Sequence, residues 1–99
     1  MILKEWCNFT IDSGRSYVRE SVIRIPDNGC NSFPAVRMIV QSLLFTQESP
    51  IKIYLVDSEY GLITNYGIGF QSFEQAKFIA DVKLVELGFE IKKPFILQA

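Results

Sequence analysis

Residues 33–46 read Phe-Pro-Ala-Val-Arg-Met-Ile-Val-Gln-Ser-Leu-Leu-Phe-Thr, and the way this run is wound decides the fold. At about 100° per residue, the angular step of an α-helix, Val36, Ile39, Val40 and Leu43 form one stripe. Met38 and Phe45 fall behind it, near Arg37 and Gln41. Ser32 can serve as N-cap, and Pro34 stands near the first helical position, where its missing N–H costs little. The stretch therefore predicts a helix that ends before Pro50. Residues 73–87 predict a second one. There Phe73, Ala76, Ile79, Ala80, Leu84 and Leu87 form the main stripe, while Phe78, Val82 and Val85 lie on nearly the opposite side. Ser72 and Gln75 make a capping-box pattern, and Gly88 supplies the stop.

The remaining segments predict strands. Residues 2–11 alternate, with Leu3, Cys7, Phe9 and Ile11 on one face and Trp6 on the other. Asp12-Ser13-Gly14 supplies a turn into a strand over Tyr17 to Ile25, which Pro26-Asp27-Asn28-Gly29 stops. Ile51 to Val56 is β-branched and aromatic, and residues 57–61 connect it as a hairpin to Leu62–Phe70. A last strand runs from Phe89 to Leu97, with Pro94 demanding an edge or a bulge. The predicted order is β-β-α-β-β-α-β, an α+β fold with two helices on one face of an antiparallel sheet. From the second strand onward this is the ferredoxin-like order βαββαβ. The first strand would then have no free side to pair with, because its hairpin partner is already central. Ser32-Phe33 and Ser72-Phe73 each open a helix after two strands, which suggests a doubled ββα unit instead.

Composition bounds the function. A chain of 99 residues with 48% hydrophobic and 21% charged residues has the apolar content of one globular domain, spanning 1–99, and too much for disorder. Apolar runs are too short to span a bilayer, and the first residues do not form a signal peptide, so a cytoplasmic location is the default expectation. Histidine is absent, which removes the usual general base and the serine-histidine and cysteine-histidine nucleophile pairs. Cys7 and Cys30, in no Cys-x-x-Cys spacing, are expected to stay reduced and cannot hold zinc alone. Gly67-x-Gly69 lacks the further glycine and lysine of a phosphate loop. Enzymatic function is not expected, nor is a cofactor or a metal. Arg15, Arg19 and Arg24 are best read as a solvated strand surface, since Arg19 and Arg24 fall on opposite faces with Glu20 between them.

What remains is binding. A helix with two apolar faces has one more than a single core requires. Phe78, Val82 and Val85, joined by Met38 and Phe45, are the expected protein-binding surface, with Glu74, Asp81 and Glu86 as an acidic rim. The expected function is that of a small non-catalytic module acting stoichiometrically, as a homodimer, an assembly factor or an inhibitor of a larger, nucleic-acid-processing protein. An alternative comes from Tyr66-Gly67-Ile68-Gly69-Phe70-Gln71-Ser72-Phe73, which resembles the third-strand signature of RNA recognition motif domains at Gly67, Gly69, Phe70 and Phe73. Tyr66, Ile68 and Gln71 depart from that signature. The resemblance implies a single-stranded nucleic-acid binder using Tyr54, Tyr66, Phe70 and Arg24 on the sheet. A sequence pI near 5.3 does not supply the basic footprint such binding needs.

Overall fold

The computed structural model describes residues 2–11, 14–21, 35–43, 51–58 and 61–95. Its elements are β1 (Ile2–Leu3), β2 (Cys7–Ile11), β3 (Gly14–Glu20), β4 (Val36–Leu43), β5 (Ile51–Asp57), β6 (Leu62–Phe70), α1 (Phe73–Glu86) and β7 (Glu90–Ile91). Strands β2 to β6 follow one another in space as in sequence, a five-stranded antiparallel meander. Strands β1 and β7, from the two ends of the chain, form a separate parallel pair.

The predicted helix over 33–46 is not formed: its central residues are strand β4, and α1 is the one helix among the described residues. The two-helix order fails with it, and so do both the ferredoxin-like core and the doubled ββα unit. The reason is visible in β4 itself. Val36, Met38 and Val40 are buried, with 5%, 0% and 0% of their surface exposed, while Arg37, Ile39 and Gln41 on the other face are half-buried. A central strand carries apolar residues on both faces, so period 2 and period 3.6 both fit the run. The β-branched Val36, Ile39 and Val40 then favour the extended chain. The meander also removes the difficulty with the first strand, because β3 lies between β2 and β4 and no place is contested.

From β5 through α1 the chain folds as its local signals indicate. Strands β5 and β6 form an antiparallel hairpin, with Asp57 opposite Leu62. The Ser72 hydroxyl accepts from the Gln75 amide at 3.1 Å and starts α1, and Gly88, at φ 89°, follows its end. The long last strand expected over 89–97 shrinks to Glu90–Ile91. Helix α1 lies against β4 and β5 and places Ala76, Ala80 and Leu84, all fully buried, on Met38, Val40 and Ile53. Two alanines at the contact let the helix backbone come close to the sheet.

Candidate functional site

Opposite that buried face, α1 presents Phe78, Val82 and Val85, with 37%, 40% and 59% of their surface exposed. Their i, i+4, i+7 spacing sets them in one line along the helix. Glu74 and Glu86 flank the line and are exposed, and Glu86 lies 3.6 Å from the Lys83 ammonium. Two of the expected members are elsewhere. Met38 is fully buried in the core beneath the helix, because as a strand residue it points at α1 rather than away from it. Asp81 is 4% exposed and belongs to an internal network, so the acidic rim consists of Glu74 and Glu86. Phe45 lies outside the described residues.

The sheet aromatics do not assemble into one platform. Tyr66 and Phe70 pack against the core on the helix side, whereas Tyr54, next to buried Ile53 in β5, points to the other face. The Tyr54 hydroxyl donates to Gln41 Oε1 at 3.0 Å, and the Lys52 ammonium lies 5.1 Å from its ring centroid. Burial holds the Tyr54 phenol above its usual pKa, with Arg37 opposing. Arg24 lies outside the described residues.

Sequence reasoning missed a buried polar group that, among the described residues, joins four segments of the chain. Arg19, read as a solvated strand residue, is fully buried. It shares its face of β3 with Tyr17, opposite Met38, and so points under the helix. Its Nη1 donates to the carbonyls of Lys4, at 2.9 Å, and Lys92. Its Nη2 donates to Asp81 Oδ2 at 3.0 Å and to the Lys93 carbonyl at 3.2 Å. Nε stands 3.0 Å from Asp81 Oδ1 as an ion pair, without the alignment of a hydrogen bond. Asp81 also accepts from Trp6 Nε1 at 3.1 Å and from the Phe95 amide at 2.8 Å, and the guanidinium lies 5.1 Å from the Trp6 ring centroid. Lys93 takes φ 49°, a left-handed turn rare for a side-chain-bearing residue. Burial lowers the Arg19 pKa, opposed by the charge and hydrogen bond of Asp81 and then by the charge of Glu5. Through its Nη1 and Nη2 bonds and the Asp81 carboxylate, this group clamps Lys4 and residues 92–95 to β3 and α1.

Nearby, the Lys77 ammonium sits 3.6 Å from the Tyr17 ring centroid, its pKa lowered by burial against the pull of Glu74 and Asp81. A shallow hollow of about 200 Å³ lies at the other edge of the sheet, lined by Lys4, Glu5, Cys7, Asn8, Val18 and Glu20. Cys7 carries a free, exposed thiol, and Cys30 lies outside the described residues. Among the described residues no three of His, Cys, Asp and Glu gather as metal ligands, and no helix is long and apolar enough to cross a membrane. No protein-family model, curated protein or solved structure matches the chain.

Proposed function

We propose that the chain is a small protein-binding module that acts stoichiometrically, seating the outer face of α1 in an apolar groove of a larger protein. The observation that carries this reading is the exposed line Phe78, Val82, Val85 on a helix whose opposite face is already spent on the core. Helix-in-groove recognition uses anchors at this spacing. Phe78 is the anchor, since its ring offers the most apolar area in the line. Glu74 and Glu86 at the margin favour a groove with a basic border, and a rim of this kind tunes encounter and selectivity more than affinity.

The test is site-specific photo-crosslinking from position 82, with the captured protein identified, purified and titrated against the native chain and Phe78→Glu. The expected result is a binding loss of roughly 2 kcal/mol or more, about thirtyfold, with the circular dichroism spectrum unchanged. Equal affinity of the two proteins rules out the stripe as the contact. An unfolded Phe78→Glu, together with an unfolded Val85→Ser, shows that the stripe is core and removes the proposal.

A further inference from the structure

We infer that strand β6 is a self-pairing edge, and that two copies of the chain join there into one continuous antiparallel sheet, leaving the α1 stripes free. Strand β6 ends the sheet, and among the described residues nothing pairs with its outer side. An open edge is a standing template for another strand, and proteins usually blunt it with charge, proline or shortness. Here the edge is nine residues long, contains neither charge nor proline, and is bulged only beyond Asn65, so its first part stays open. No charged residue occurs from Gly61 to Phe73. Leu62, Ile63 and Ile68 are 60%, 64% and 68% exposed, among the highest values for large apolar side chains in the molecule.

The occupant follows from charge and register. A second copy approaching about a two-fold axis brings the same neutral strand and meets no like charge along it. The chain as a whole carries a net charge of -1, so long-range repulsion between copies is small. Pairing with β5 is regular over Leu62 to Asn65 and then shifts, leaving Tyr66 and Gly69 as extra residues on β6. Such bulges bend an edge and stop pairing. They confine the contact to residues 61–65. An axis normal to the sheet at Ile63 sets Ile63 against Ile63 of the partner and Leu62 against Thr64 of the partner. That register keeps Leu62 and Thr64 on the helix side in both copies, so each side chain meets one of its own face. The same edge is consumed on both copies, and the assembly closes as a dimer rather than a filament. Five paired residues on each copy bury less than the roughly 800 Å² per partner of a stable complex, so the dimer forms in the range of about 10 μM to 1 mM.

Sedimentation equilibrium of the native chain, Ile63→Lys and Val85→Lys, with hydrogen exchange of the native chain at two concentrations, tests this. The expected result is a native species approaching twice the 11.3 kDa chain mass, and a dissociation constant raised at least about tenfold in Ile63→Lys, where like charges meet. Amides of residues 61–65 gain protection as concentration rises. A native monomer at about 1 mM overturns the inference. So does a dimer that survives Ile63→Lys, or one that Val85→Lys alone disperses, which places the contact on the helix. If Ile63→Lys does not fold, exchange decides: concentration-independent protection at 61–65 refutes the edge pairing, and concentration-dependent protection upholds it.

Discussion

The two carboxylate oxygens of Asp81 serve Arg19, Trp6 and the Phe95 amide at once, in a position only 4% exposed. Asp81→Ala leaves a buried guanidinium without its counter-charge and two N–H donors without an acceptor. Breaking one side of a buried pair costs about 3–5 kcal/mol, a large share of a domain's stability. Urea unfolding reads this as a lower midpoint with an unchanged slope. Asp81→Asn, which keeps an acceptor oxygen, is expected to lose less. Tyr54 gives a prediction in pH. Its pKa is raised above the ordinary 10.0 by burial. Native Tyr54 therefore holds its proton where the unfolded chain has released it, and the unfolded state binds fewer protons. The stabilisation is complete below about pH 10 and is lost as pH rises through the folded value. Tyr54→Phe should flatten the alkaline fall of stability measured by denaturant titration between pH 9 and pH 11. At this scale the sequence was a poor guide to polar residues. Asp81 lies on the helix flank beside Glu74 and looks like rim, and only a partner 62 positions away draws it inside.

Elements were legible where their signals are local. Ser72 with Gln75 and Gly88 mark α1 through bonds a few residues long, and the pairing of Asp57 with Leu62 closes the β5–β6 hairpin over a short connection. The outer stripe of α1 was legible for the same reason, since helical spacing alone separates Phe78, Val82 and Val85 from the buried face. Strand β4 was not, because it lies between β3 and β5 and carries apolar Ile39 on its half-buried face as well as Val36, Met38 and Val40 on its buried one, so alternation does not stand out against a helical period. The brevity of β7 is equally non-local: it pairs with β1 from the far end of the chain. Strand β6 supports a prediction of its own. Gly67 has φ 129°, and a Cβ placed there would lie 3.4 Å from the Phe70 ring. Gly67→Ala thus carries backbone strain, at a cost of about 1–3 kcal/mol, while its contact with the Phe70 ring is of ordinary van der Waals length. For a domain this size that lowers Tm by at least about 4 °C, measurable by calorimetry. Gly69→Ala, at φ 100° in open space, carries strain of the same kind and should lower Tm by a similar amount.

The molecule's principal extents are 47 × 31 × 21 Å, and among the described residues a single helix covers the five-stranded sheet. Within it the chain ends are held by few bonds of their own. Strands β1 and β7 pair over two residues each; the Lys92 amide donates to Leu3 at 3.0 Å, and the Lys4 amide donates to Glu20 at 2.7 Å. Arg19 reaches from the sheet to the carbonyls of Lys4, Lys92 and Lys93 together, so it is the joint through which both ends share the stability of the meander. Arg19→Met keeps the apolar stem and removes every one of those donors, along with the charge opposite Asp81. Regions with few supporting contacts open at lower free energy than the core they lie on. Native-state hydrogen exchange of this variant should therefore show the Lys4 and Lys92 amides losing protection in step, while amides in the β4–β5 ladder keep a higher opening free energy. Equal opening free energies for the ladder and the ends would mean that the ends and the sheet unfold as one unit and that Arg19 is not a joint between them. Loss at Lys92 with Lys4 unchanged would show that the two ends are held separately, against the single clamp that the geometry describes.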